Sequence, residues 1–260
     1  MRKARKRPVR RRGPGLWERL DRTQVSARPR LSHEAIALAA VRLADAKGFE
    51  AVTLRGLAAT LDVAPMALYR YVNSKEDVFA LMVDAAHPPA DMAATAGHWR
   101  EILRTHAAQV RTTLLNHPWL LDLPPSAQMA ITPRRFAALE RALSSLGTLG
   151  LAPDAMMLAV ESVVGFAHGT TAIEISRRRM MKSEGWTDGD DLRSGLSNEM
   201  SWLLGSKRYP TLERYIHEAH HRDDRDRVFE RGLDCLLDGI GVQLGMHDEG
   251  GRASLKGKHR

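Results

Sequence analysis

Apolar positions along this chain recur at three- and four-residue spacing, and alternating runs rich in Val, Ile and Thr are missing, so the pattern predicts helices and no sheet. Ser32 opens the first helix as N-cap, with Glu34 in its first turn, Ile36, Ala39, Ala40 and Leu43 on one face, and Gly48 as its stop. Thr53 caps a second, whose inner face is Leu54, Leu57, Ala58 and Leu61. Asp62 and Val63 make a short turn, and Pro65 suits the first position of a third helix ending near Tyr71. Ser74, with Asp77 three residues on, caps a fourth that turns Val78, Leu81, Met82 and Ala85 inward and closes at His87-Pro88-Pro89.

Beyond a loose stretch near residues 90–97, helical spacing returns at about 98–116, 133–149, 153–179, 211–221 and 226–244. Residues 181–209 carry Gly, Ser and Asp punctuation around Met200-Ser201-Trp202-Leu203-Leu204 and read as a mobile connection with one helical turn or two. The expected fold is all-α. It divides into a basic disordered arm (1–30), a three-helix domain containing a helix-turn-helix (31–87), a helical bundle (98–245) and a disordered tail (246–260).

Composition narrows this picture. With 43% hydrophobic residues, 260 residues can bury a sizeable core, and 5% aromatics suits helices. Cys235 is the sole cysteine and cannot form an intramolecular disulfide, and the charged N-terminus lacks the apolar run of a secretory signal, so the expected compartment is the cytoplasm. Residues 155–173 are interrupted by Glu161 and His168 and read as a buried helix, with no membrane partner expected. The net charge of +8 is uneven: residues 1–30 hold twelve Lys or Arg against Glu18 and Asp21, a balance of +10, which leaves −2 for the rest. Such an arm can track phosphates or enter a minor groove; a solvated tail or a misassigned start gives the same composition.

Reading a major groove requires a short exposed helix held steeply by a second one, with a tight turn and a small residue where they meet. Residues 53–72 meet that specification: Ala58 is the small residue, Leu57, Leu61, Val63 and Leu68 form the wedge, and Pro65, Met66, Ala67, Tyr69, Arg70 and Tyr71 are left to face outward. An ordinary helical hairpin has the same spacing.

The run Thr53-Leu54-Arg55-Gly56-Leu57-Ala58-Ala59-Thr60-Leu61-Asp62-Val63-Ala64-Pro65-Met66-Ala67-Leu68-Tyr69-Arg70-Tyr71-Val72-Asn73-Ser74-Lys75 resembles the helix-turn-helix of the tetracycline-repressor family. Farther on, Trp99, Asn116-His117-Pro118-Trp119, Thr132-Pro133, Leu146-Gly147, Leu151-Ala152-Pro153 and the ending from Phe229 to Ile240 resemble the ligand-binding domain of the branch that includes the tetracycline repressors themselves. The likeness spans about residues 31–244, with Asp62 standing where the family usually has Gly and Ala64 where Ser or Glu is frequent. It implies a homodimeric, ligand-responsive repressor of a palindromic DNA operator, with an unidentified small-molecule effector and no cofactor. By the same resemblance Arg55, Pro65, Met66, Ala67 and Tyr71 lie where the family meets base edges, and Thr53, Tyr69 and Lys75 where it meets phosphates; Arg70 could serve either purpose.

Trp99, His106, Trp119, Gln128, Met129, Phe136, Phe166, His168 and Glu174 lie on or near apolar faces, a mix suited to an effector cavity, although each singly also suits a packed core. Tetracycline repressors hold a metal-bound drug partly through a His before an Arg-Pro pair. Here Gln128 falls near that place, Thr132-Pro133 replaces the pair, and Glu174 lies one position from the family's pocket carboxylate, so an apolar or cationic effector is expected instead. Leu233, Leu236, Leu237, Ile240 and Leu244 make one stripe, and Met156, Val160, Val163, Val164 and Ala167 another. Paired across two subunits they would build the four-helix interface by which the resembling family dimerises; burial within one subunit is the alternative. The rival class is a zinc-dependent hydrolase. His217-Glu218-Ala219-His220-His221 matches H-E-x-x-H, but Asp224 and Arg227 occupy the places where the extended form has its Gly and its third His.

Overall fold

Helices begin where short polar side chains satisfy the first free backbone N–H groups. The computed structural model describes residues 16–21, 31–89, 98–219, 221 and 223–245, and among these are helices and turns but no strand. Ser32 Oγ accepts from Ala35 N–H at 3.0 Å to start α2 (His33–Lys47), which ends at Gly48 with φ 82°. Thr53 Oγ1 accepts from Gly56 N–H at 3.0 Å to start α3 (Leu54–Thr60), and Ser74 Oγ accepts from Asp77 N–H at 3.3 Å to start α5 (Lys75–Ala86). Each such cap stabilises its helix by about 1 kcal/mol. Between them α4 covers only Pro65–Leu68, and turns carry the chain on to Tyr71, so the third helix is shorter than its apolar spacing suggests.

The chain divides into two compact units: Met1–Pro89 with Asp122–Ala137, and Ala90–Leu121 with Ala138–Arg260. The first therefore includes a segment that sequence pattern alone gives to the bundle. In it α2 packs on α3 and α5, burying Ile36, Ala39, Ala40, Leu57, Ala58, Leu68, Val72, Val78, Leu81 and Met82. Leu43 and Ala85 are half-buried, while Phe79, Val83 and Ala86 join the core. The returning segment supplies α7 (Pro125–Gln128), which packs on α5, and Arg134, whose guanidinium donates to His87 O at 2.9 Å and Ala85 O at 3.3 Å. Arg134 N–H also donates to Asp84 Oδ1 at 2.9 Å, so one residue satisfies acceptors at the end of α5.

The expectation of a structureless arm is corrected at residues 16–21, which form α1 (Leu16–Asp21). Leu16 is buried, Trp17 Nε1–H donates to Ile131 O at 2.9 Å, and Arg19 pairs with Asp77 at 2.6 Å. Two contacts to distant residues and one buried side chain hold a turn too short to persist alone. Residues 1–15 and 22–30 of the arm, and the tail 246–260, lie outside the described residues.

The second unit is built from α6 (Trp99–Asn116), the later part of α8 (Pro133–Gly147), the long α9 (Pro153–Glu184) and α13 (Arg225–Gln243). Trp99, Leu103, Ala107, Ala142, Leu146, Ala159, Val160, Val163, Ala167, Phe229, Leu233, Leu237 and Ile240 form one apolar cluster. By length and composition α9 could cross a membrane, yet its buried face includes Thr171 and Glu174, and Glu174 is ion-paired to Arg111 of α6. One face of α9 therefore belongs to the core of the unit, while the other, with Leu158 and Ile173, is exposed, so the helix is less buried than its sequence suggests. Residues 181–209 are more regular than their composition predicts: α9 runs on to Glu184, and α10 (Gly189–Gly195) and α11 (Ser197–Gly205) follow. Asp188 caps α10 by accepting from Asp190 N–H and Asp191 N–H at 2.8 and 2.9 Å, and Gly195 lies so close under Trp186 that a Cβ would fall 2.0 Å from its ring. Asp223 ties this region down, accepting from Arg177 and Arg193, each at 2.5 Å, and those two cations hold its carboxyl below the usual aspartate range.

Candidate nucleic-acid interface

The wedge between α3 and α4 is set by a backbone conformation that few side chains tolerate. Asp62 takes φ 52°, which lets Val63 N–H donate back to Ala58 O at 3.0 Å and closes α3 with a reversed turn. The left-handed residue costs Asp up to about 1 kcal/mol relative to Gly. Pro65 then begins α4 at the position where its missing N–H and fixed φ do no harm. Leu57 and Leu68 are fully buried, so they fix the crossing of the two helices, while Leu61 and Val63 are half-buried at the edge. Gly56, which the sequence reading passes over, is the tighter spot: a Cβ there would sit 3.1 Å from Thr53 Oγ1 and 3.2 Å from Ala51 O. The signal was present in its place three residues after a capping Thr.

With that wedge buried, the nine sequence-nominated contact residues are left at the surface. Thr53, Arg55, Pro65, Met66, Tyr69, Arg70 and Lys75 are exposed, and Ala67 and Tyr71 are half-buried. Met66 at 74% and Tyr69 at 49% exposure are large apolar or aromatic groups that packing within the unit does not use. Tyr71 is held in place: the His33 ring meets its ring edge-on at 5.3 Å, and His33 Nε2–H donates to Tyr71 O at 3.0 Å. The Lys75 ammonium lies 5.6 Å and 5.2 Å from the Phe49 and Phe79 ring centroids, which fixes a flexible cation at the start of α5.

The residues nominated for an effector cavity divide between the two units. Gln128, Met129 and Phe136 belong to the first unit; all three are exposed, and Gln128 Nε2–H donates to Leu123 O at 2.8 Å. In the second unit Trp99 and Trp119 are buried, Phe166 packs on Phe229 at 5.7 Å and occupies the space a Gly232 side chain would need, and His168 is exposed. Only His106 lines the small pocket between α6 and α8, together with Ile102, Thr105, Gln109, Ala138, Arg141 and Ala142. Arg141 Nε is buried there with no hydrogen-bond partner among the described residues. Glu174 is occupied: Arg111 donates to it at 2.6 Å and Arg178 at 2.5 Å, while Arg111 also holds Asp226 at 2.6 Å and lies 4.9 Å from the Phe229 ring centroid. A carboxylate with two arginines has little left for a cationic ligand.

The dimer stripe also lies differently from its expected use. Val160, Leu233 and Leu237 are buried in the core of one subunit, Ile240 is 9% exposed, and Val164, Leu236 and Leu244 are packed against the same cluster. The H-E-x-x-H reading fails on local geometry: α12 (Pro210–Glu218) stops at Glu218 and Ala219 is extended, so His217 and His221 are not one helical turn apart. Among the described residues no three His, Cys, Asp or Glu side chains cluster as a metal site requires; His220 lies outside them.

A capped helix-turn-helix with an exposed second helix, followed by a separate helical unit, defines a DNA-binding regulator with a sensing or assembly domain. Residues 36–82 match the family described as bacterial regulatory proteins, tetR family, and residues 93–244 match the tetracyclin repressor-like C-terminal domain. The chain belongs to the tetracycline-repressor family. The HTH-type transcriptional repressor DrrR1 of Streptomyces coeruleorubidus is 29% identical over 229 residues, 87% of this chain and 83% of that protein. Among solved structures, ActR of Streptomyces coelicolor in complex with actinorhodin superposes with a TM-score of 0.62 at 21% identity, covering 83% of this chain and 98% of that one. BioQ with its natural double-stranded DNA operator gives 0.55 at 20% identity, covering 82% and 99%.

Proposed function

We propose that this chain is a cytoplasmic, ligand-responsive repressor, not an enzyme, that grips an inverted-repeat operator as a homodimer. The observation that carries the reading is the α3–α4 wedge: Leu57 and Leu68 are locked beneath, while Met66, Tyr69 and Arg70 are left in solvent, as are Arg55 and Lys75. Arg55 supplies a bidentate donor for guanine, Pro65, Met66 and Ala67 offer apolar contact to thymine methyls, and Thr53, Tyr69 and Lys75 meet phosphates. The DNA-bound and ligand-bound relatives support both halves of the reading. The pocket at His106 and Arg141 holds about 10 Å³, room for about one water, so an effector would have to open the helices of the second unit to bind there.

Because Leu233 and Leu237 are spent inside the subunit, dimerisation falls to the opposite faces of α9 and α13. On α9, Leu158 and Ile173 are 58% and 64% exposed, with open space at Gly165 and Gly169 between them. On α13, Val228 and Val242 are 43% and 80% exposed, flanking Cys235 and Gly239. Small residues between apolar ones let helices of two subunits approach closely. Sedimentation and footprinting test this: Ile173→Asp with Val242→Asp should give folded monomers that no longer protect a palindrome. An undiminished dimer would overturn the assignment of these faces. Leu237→Asp, by contrast, should unfold the bundle.

A further inference from the structure

The turn that leaves the reading helix is short, with Val72 buried, Ser74 half-buried and Asn73 exposed, and it carries Tyr71 on one side and Lys75 on the other. One carboxylate organises it. Asp77 Oδ2 accepts from Asn73 N–H at 2.9 Å while Asp77 N–H donates to Ser74 Oγ at 3.3 Å, so the first turn of α5 and the exit of α4 meet at a single side chain, 15% exposed. A carboxylate so placed needs a cation, and the nearby Lys75 ammonium lies over the Phe49 and Phe79 rings instead. The cation is Arg19 of α1, with NH2 2.6 Å from the same Oδ2. Arg19 is carried there by a helix fixed at its other end, where Leu16 is buried and Trp17 Nε1–H donates to Ile131 O at 2.9 Å.

We infer that α1 is a clamp on the reading helix, and that Arg19 is a positioning residue for DNA binding that acts through Asp77 and touches no phosphate itself. The inference rests on the proposed DNA-binding face and adds to it a role for the arm that is separate from its charge. Arg19 holds the Asp77 carboxylate in the orientation that ties down Asn73 N–H. Tyr71 O is already tied to His33 Nε2, so the exit segment is braced from α2 and α1 together. Loss of either brace frees Tyr71 and Asn73 to move, and the contacts this segment makes are then formed at an ordering cost.

The test compares the full chain with Arg19→Ala, Asp77→Asn, the double variant and Trp17→Phe. Binding is measured across salt concentrations to a duplex that the wild-type chain selects from a random-sequence pool. Arg19→Ala should weaken binding by about two- to fivefold, the range of a partly exposed ion pair, with the salt slope unchanged. Asp77→Asn should do the same, and the double variant should lose no more than one of them, because both act at one contact. Trp17→Phe, which keeps the ring and removes the N–H, should give part of the loss. A slope lower by about one for Arg19→Ala would make Arg19 a phosphate contact and overturn the clamp; additive losses would overturn it too. Hydrogen exchange keeps this separate from the DNA reading: without any DNA, the Asn73 amide should exchange about two- to fivefold faster in Arg19→Ala, and unchanged exchange would refute the inference. Failure to select any preferred duplex would instead refute the DNA-binding reading.

Discussion

Replacing Glu174 with alanine separates a structural carboxylate from a ligand-binding one. In the folded chain Glu174 is 3% exposed and Arg111 10%, and they meet at 2.6 Å under the Phe229 ring. Removing one partner of a buried pair costs about 3–5 kcal/mol, because the other charge stays behind in a medium that solvates it poorly. Arg111 retains Asp226, but that carboxylate is 89% exposed and already well hydrated, so the remaining compensation is modest. The lower end, about 3 kcal/mol, is expected, which for a chain of this size lowers the Tm by about 6–12 °C. Differential scanning calorimetry measures it, alongside effector-driven release from the operator. Arg111→Met with Glu174→Leu should recover most of the loss, since apolar groups of similar volume avoid the desolvation penalty altogether. A Glu174→Ala protein that melts within a degree of wild type, yet no longer responds to effector, would refute this reasoning and return Glu174 to the ligand site.

Asp62→Gly should raise stability by up to about 1 kcal/mol, because Gly adopts φ 52° without the Cβ penalty; a lower Tm by thermal denaturation would mean Asp62 makes a compensating contact. Tyr69→Ala should weaken binding to all duplexes alike, while Arg55→Ala should relax preference at one position of each half-site; equal effects of both on specific and random DNA would contradict the division of roles. Arg104 donates to Asp234 and holds its carboxyl below the ordinary aspartate value of 3.8, as Arg177 and Arg193 do for Asp223. Their folded values are depressed, so the stability they contribute is present above about pH 4 and lost as pH falls further. Stability measured down to pH 3 should drop in that window, and Arg104→Gln should remove the share that belongs to Asp234.

How much of this was legible beforehand depends on whether the signal is local. Ser32, Thr53, Pro65, Ser74 and Gly48 act on their own helix ends, so each cap and stop could be read from neighbours in sequence. Asp188 is equally local, and its capping of α10 was obscured by the surrounding Gly and Ser, which argued for a loop. The use of the dimer stripe was obscured for a different reason. A helix with apolar residues on much of its circumference, such as α9, has a period that tells which positions share a face but not which face meets the subunit's own core. Leu233 and Leu237 share a stripe with Leu236 and Leu244, and the apolar cluster of α9 and Phe229 takes them up within the subunit, the alternative that periodicity leaves open. The surroundings of Trp99, Phe166 and Glu174 were not legible in sequence because they are settled by partners far along the chain, Arg111 lying 63 residues from Glu174.

The arm combines both kinds of signal, and that makes its two contributions separable. Residues 1–15 hold eight Lys or Arg, whereas the clamp resides in Leu16, Trp17 and Arg19. Deleting residues 1–14 removes the charge and leaves the clamp. Each basic residue that neutralises a phosphate contributes about 0.9 to the slope of log K against log salt, so this deletion should lower the slope and leave the preferred operator unchanged. Deleting residues 1–28 should lower it further, through Arg22 and Arg28, and add a salt-insensitive loss equal to that of Arg19→Ala. Binding titrations of the two deletions from low to physiological salt measure both terms. If the slopes match wild type, the basic run does not meet DNA. If the longer deletion shows no salt-insensitive loss beyond the shorter, α1 does not position the reading helix.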